Sequence, residues 1–246
     1  MNKTQATKRR RGIYLLPNLF TTAAMFAGFF AIISAINGRF STAAIAIFVA
    51  MILDGLDGRV ARLTNTQSAF GVEYDSLSDM VSFGVAPGLI MYLWAFTGLG
   101  KFGLFAAFVH TAGGALRLAR FNTQVGNEDK RFFQGLPSPS AAAILAGFIW
   151  VNVEFGYQAE TIKYLALALT ISTGLLMVSN FRYYSFKEID FKGRVPFVAT
   201  IVVMLTISLI MIHPQIILFL LFLGYAISGP VVTFVMLRKR RRDRSG

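Results

Sequence analysis

At 246 residues, with 55% hydrophobic and 15% charged residues and a mean hydropathy of +0.58, the chain lies well below the roughly 25% charged content of an average soluble domain and reads as a polytopic membrane protein. It has no cysteine and only two histidines, His110 and His213, which excludes disulfides, thiol chemistry, Cys-ligated zinc and a histidine-rich metal centre. The net charge of +12 is spread over short basic clusters between apolar runs, a pattern suited to anionic lipid headgroups rather than nucleic acid.

Runs of about twenty apolar residues predict an all-α bundle of about eight transmembrane helices, near 17–36, 41–62, 76–97, 102–122, 138–155, 161–181, 196–212 and 215–237. No internal repeat or second domain is evident. A basic segment (1–16) precedes the membrane domain (17–237), and a basic tail (238–246) comes after it. The first segment resembles the charged part of a signal peptide but lacks a small-residue cleavage site, so it is expected to be retained. In the first span, Pro17 sets the helix start and Asn18, Thr21 and Thr22 give its first turns a polar face. Asn37-Gly38 predicts a short turn into the second span.

The second span ends, and the third begins, in DGLDGRVARLTNTQSAFGVEYDSLSD, residues 54–79. Asp54/Asp57 and Asp75/Asp79 are three and four residues apart, so each pair shares a helix face. Ionised groups at the mouth of an apolar helix pair are costly unless paired or metal-bound, and are functional suspects. Hard oxygen donors of this kind suit Mg2+ or Mn2+. Gly58 and Ala61 leave room for a ligand beside the helix backbone, and Arg62 offers a fork suited to phosphate. Together they describe a site for a metal-bound diphosphate, in which two divalent ions about 4 Å apart would neutralise the group and polarise its phosphorus.

Further along, NTQVGNEDKRFFQGLPSPS is expected to form a polar loop, with 123–139 a candidate gate over the site. FRYYSFKEIDFKGRVPF has the basic and aromatic mixture of an interfacial segment. The tail LRKRRRDRS is expected to be disordered and to bind acidic lipid. Lysines and arginines divide 21 to 3 between the two sides. That split places both termini, and the aspartates, in the cytoplasm, with the protein in the cell (inner) membrane.

The spacing Asp54-x2-Asp57-Gly58-x2-Ala61-Arg62, eight residues, Gly71-x3-Asp75-x3-Asp79 matches the signature of the CDP-alcohol phosphotransferase family, which the chain resembles. The resemblance implies a bundle with a six-helix core, usually homodimeric, that transfers a substituted phosphate from a CDP-linked donor to an alcohol and releases CMP. It implies that Asp54, Asp57, Asp75 and Asp79 hold the metal and that Asp79 is also the general base. It places Gly58 and Arg62 on the nucleotide diphosphate, with Ser68 as a frequent polar contact and Asn18 and Thr21 near the nucleotide; Ala61 and Gly71 belong to the same binding signature. DSLSDMVSFGVAPG, ALRLARFN, FQGLPSPSAA and YYSFKEIDFKGRVPF resemble the branch of that family that uses CDP-diacylglycerol and L-serine in phospholipid biosynthesis. Met80 stands where the glycerol-phosphate branch commonly has lysine. For the serine carboxylate or a donor phosphate, Arg117 and Arg120 are candidates, with Asn122 behind them.

Other readings of these residues stay open. Another acceptor, such as inositol phosphate, glycerol phosphate or choline, would use the same signature, and four membrane aspartates could instead line a divalent-cation transport path. An EF-hand is excluded, because DGLDGR lacks that loop's alternating ligands and terminal glutamate. Arg117 and Arg120 could be lipid-phosphate anchors, and Ser68, Asn18 and Thr21 helix-packing residues. His110 is expected to be a satisfied bundle residue, and His213-Pro214 an outer turn.

Overall fold

The computed structural model describes residues 15–64, 66–123, 132–184 and 197–242. The helices α1 (Leu15–Ile36) and α2 (Phe40–Thr64) form a hairpin. Ala27, Ala31 and Ala35 pack with Ala43, Ala44, Ala46 and Ala50 in one buried layer. Side chains this small let two helices approach closely where lipid supplies no hydrophobic drive. Gly38, at φ +72°, makes the turn between them, and its N–H donates to the Ala35 carbonyl at 2.9 Å.

The third span is continuous from Ala69 to Leu99 but not uniform. It comprises α3 (Ala69–Asp79), a π-helical turn (Met80–Val85), α4 (Ala86–Met91), a second π-helical turn (Tyr92–Phe96) and a short 3-10 turn (Thr97–Leu99). Then come α5 (Lys101–Thr123), β1 (Phe132–Gln134), α6 (Ser138–Glu154), α7 (Ala159–Val178), β2 (Arg182–Tyr184), α8 (Phe197–Ile212) and α9 (Pro214–Arg242). Every predicted span has its helix. Among the described residues, six helices are long and apolar enough to cross a membrane, so this is a multi-pass membrane protein. The other two, α6 and α8, have 17 and 16 residues. At 1.5 Å per residue α6 is only about 25 Å long, yet it is the axis of the bundle, with Ala141 to Ile149 buried without a break.

The all-α bundle is as expected, and two local details need correcting. β1 and β2 pair antiparallel, Phe133 opposite Tyr183, in stretches expected to be loop and interfacial segment. Three-residue strands leave almost no alternation to read, and this ribbon is held by α9 rather than by its own pairing. The buried Tyr183 hydroxyl donates to the Ala226 carbonyl at 3.0 Å, the Arg182 N–H to Thr233 Oγ1 at 2.8 Å, and the Tyr225 hydroxyl to the Tyr184 carbonyl at 3.1 Å. The second correction concerns the tail, where α9 continues to Arg242, because lysine and arginine are good helix formers and nothing in the run interrupts the ladder. Residues 124–131 of the candidate gate, and 185–196 of the interfacial segment, lie outside the described residues.

Candidate metal and nucleotide site

One end of the bundle gathers the start of α1, the end of α2, the start of α3, the end of α5 and the start of α6. Between α2 and α3 the chain reverses. The Thr66 N–H donates to the Ala61 carbonyl at 3.1 Å, Thr64 and Thr66 hydroxyls pair at 2.7 Å, and Ser68 caps α3 by accepting the Gly71 N–H at 3.0 Å. Such a cap satisfies one of the donors that a helix start leaves free. The reversal turns the two acidic pairs toward each other. One oxygen from each of Asp54, Asp57 and Asp75 lies within 4.8 Å of the others. The Asp79 carboxyl lies beside that of Asp54.

Two ionised carboxylates at that separation repel by about 3.5 kcal/mol at an effective dielectric of about 20. The surrounding charges offset this only in part: Arg62 acts on Asp57 and Arg117 on Asp79. Asp75 Oδ1 and Asp79 Oδ1 are buried with no hydrogen-bond partner, although buried polar atoms are ordinarily paired. Clustered, half-buried to buried, all-oxygen and partly unpartnered, these groups fit a hard divalent cation.

A cleft of about 260 Å³ opens beside the cluster. All seven residues assigned to the nucleotide by resemblance, Asn18, Thr21, Gly58, Ala61, Arg62, Ser68 and Gly71, line it together with Asp57 and Asp75. So do Pro17, Thr66, Gln67 and Val72, which sequence reasoning missed because nothing in their types or spacing marks them. A Cβ added at Gly58 would meet only Arg62 Nη1, at 3.6 Å, so the space beside that backbone is open to a ligand.

Several candidates prove to have partners within the protein. The Thr21 hydroxyl lies 2.7 Å from Asp57 Oδ2 and 3.1 Å from the Pro17 carbonyl. Its single proton goes to the closer, charged acceptor, so Thr21 orients Asp57. Arg117 and Arg120 diverge. Arg117 Nη1 donates to Ser138 Oγ at 3.0 Å, at the buried start of α6, on the Asp79 side. Arg120 Nη1 lies 3.5 Å from the Ser179 carbonyl and from Asn180 Oδ1, at the end of α7. Asn122 bonds Ser76 at 3.1 Å and Glu73 at 3.4 Å, across the back of α3.

Residues 14–176 match the family model for CDP-alcohol phosphatidyltransferase. The chain belongs to that family. The match runs from the start of α1 almost to the end of α7, six of the eight spans, and takes in the aspartates, the cleft and Arg117, with α8 and α9 beyond it. A CDP-diacylglycerol–serine O-phosphatidyltransferase from Helicobacter pylori is 39% identical over 202 residues, covering 82% of this chain and 84% of its own. One from Mycobacterium leprae is 29% identical over 237 residues, 94% and 78% of the two chains. An archaetidylserine synthase from Methanothermobacter thermautotrophicus is 33% identical over 178 residues, 72% of each.

Proposed function

We propose that this chain transfers the phosphatidyl group of CDP-diacylglycerol to the hydroxyl of L-serine, giving phosphatidylserine and CMP. The observation that carries this reading is the convergence of Asp54, Asp57 and Asp75 beside a cleft lined by Gly58, Ala61 and Arg62. The names of the relatives support the choice of donor and acceptor.

Asp54, Asp57, Asp75 and Asp79 would hold two Mg2+ or Mn2+ ions, which when bound neutralise the donor's diphosphate and polarise its phosphorus. Arg62 binds a phosphate oxygen through its guanidinium. Asn18, Gln67 and Ser68 offer polar contacts to the nucleotide along the cleft, and Gly58, Ala61 and Gly71 keep it wide enough. The serine oxygen bonds to the phosphorus that carries the diacylglycerol, and the bridging P–O bond to CMP breaks. A serine hydroxyl is a weak nucleophile at neutral pH, so its proton passes to the Asp79 carboxylate as the bond forms. Arg117, on the Asp79 side of the bundle, holds the serine carboxylate by a charge-assisted pair.

The basic residues favour a cytoplasmic site in the cell membrane, with both termini cytoplasmic and 17–237 as the catalytic domain. The donor then arrives sideways from the inner leaflet and serine from the cytoplasm, in a homodimer. CMP release from CDP-diacylglycerol, measured on purified protein with Mg2+ or Mn2+ against a panel of alcohols, tests the assignment. Release that depends on L-serine is the expected result. A preference for inositol phosphate, glycerol phosphate or choline would move the enzyme to another branch, and metal flux without CMP would make it a transporter.

A further inference from the structure

His110 lies in the middle of α5, fully buried, away from the cleft and unused by the chemistry above. Its ring nitrogens are 3.0 Å from Thr173 Oγ1, through Nδ1, and 3.2 Å from the Phe83 carbonyl, through Nε2. A carbonyl only accepts, so Nε2 carries the proton. The Thr173 hydroxyl stands between Nδ1 and the Thr170 carbonyl, 2.9 Å away, and its single proton serves one of the two. The position of the ring is well determined, because α5 and α7 touch through glycine at this level: a Cβ on Gly174 would lie 2.7 Å from the Val109 carbonyl oxygen, and one on Gly113 2.5 Å from that of Gly174.

The carbonyl that His110 holds belongs to the π-helical turn Met80–Val85, which begins at the residue after Asp79. In an α-helix the Phe83 carbonyl would accept from the amide four residues on. That residue is Pro87, which has no N–H. His110 supplies a donor to that carbonyl from a neighbouring helix, while the Thr111 hydroxyl lies 3.3 Å from the Gly84 carbonyl and closer, at 3.0 Å, to that of Ala107 in its own helix. The same face of α5 tracks the π turn back to the acid: a Cβ on Gly114 would lie 3.3 Å from Gly84 Cα, and Arg117 one turn further on acts on Asp79. Turns of this kind recur at functional sites, where the extra residue shifts the helical register between the flanking segments.

We propose that His110 is a positioning residue for the transfer reaction: by donating to the Phe83 carbonyl it fixes the π-helical turn and so sets where the Asp79 carboxyl stands beside Asp54. This rests on the reading of Asp79 as proton acceptor at a metal site. A displacement of one ångström at a reacting group suffices to lose about a hundredfold in rate, so the clamp acts on kcat rather than on donor affinity.

Three substitutions separate this role from the others. Glutamine places an amide nitrogen near the Nε2 position, asparagine places one near Nδ1, and leucine has neither. Purified His110→Gln is expected to keep kcat within about threefold of wild type, whereas His110→Asn and His110→Leu lose about tenfold or more, with the CDP-diacylglycerol KM and Mn2+ affinity of all three within about twofold. Retained Mn2+ binding shows that a slow variant is folded around its aspartates. An asparagine variant as fast as wild type would overturn the inference, as would a glutamine variant as slow as leucine, which would mean that the ring itself moves a proton. Loss of Mn2+ binding along with kcat would also overturn it, reducing His110 to a packing residue. Failure of the wild-type chain to bind Mn2+ at all would overturn the metal-site reading and this inference with it.

Discussion

Asp79 differs from its three partners. Asp54, Asp57 and Asp75 place one oxygen each within 4.8 Å of the others, while Asp79 stands beside Asp54 and, like Asp75, has one oxygen buried and unpartnered. That placement suits a group that takes up a proton while its neighbours hold charge. Asp79→Asn is expected to lower kcat about a hundredfold or more and to leave donor KM within a few-fold. Asp54→Asn should weaken metal and donor together, in the same rate assay and in calorimetric Mn2+ titration. Full turnover by Asp79→Asn would remove it from the base role. The two arginines separate as well: Arg117 bonds Ser138 and faces Asp79, while Arg120 lies against the end of α7. Arg117→Ala should therefore raise the serine KM more than Arg120→Ala does, and the reverse ranking would assign the carboxylate to Arg120. The acid pairs were legible because three- and four-residue spacings fix a shared helix face. The partners of Thr21, Arg117, Arg120 and Asn122 were not, because each contact joins helices far apart in sequence, and the reach of a long side chain is set by packing.

Helices were readable wherever an apolar run was long. The breaks inside the third span, and the ribbon between β1 and β2, were not, because both depend on partners elsewhere in the chain. Pro87 signals a missing donor, but only α5 shows what replaces it. The ribbon depends on α9 in the same way, with Tyr183 seated where a Cβ on Gly229 would lie 2.3 Å from its ring. Gly229→Ala is expected to destabilise the protein by about 1–3 kcal/mol through overpacking, read as a lower thermal midpoint in detergent. An unchanged midpoint would mean that Tyr183 is free to move aside.

At the scale of the molecule, the bundle is polarised. The acidic cluster lies at the end carrying Arg59, Arg62, Arg117, Arg120 and Arg182, while Arg39, Lys101 and Lys163 lie toward the other. Because the chain has no cysteine, single cysteines report topology without background. Asn37→Cys and Tyr157→Cys should react with an impermeant maleimide on intact cells, and Leu63→Cys and Thr123→Cys only after permeabilisation. The opposite pattern would invert the protein in the membrane.

The measurement closest to the heart of the account is serine-dependent CMP release from CDP-diacylglycerol as divalent metal is stripped by chelator and then restored. The rate should fall to background on chelation and return with Mn2+ or Mg2+ in the wild type, and should not return in Asp57→Asn. Undiminished serine-dependent release in metal-free protein would contradict it.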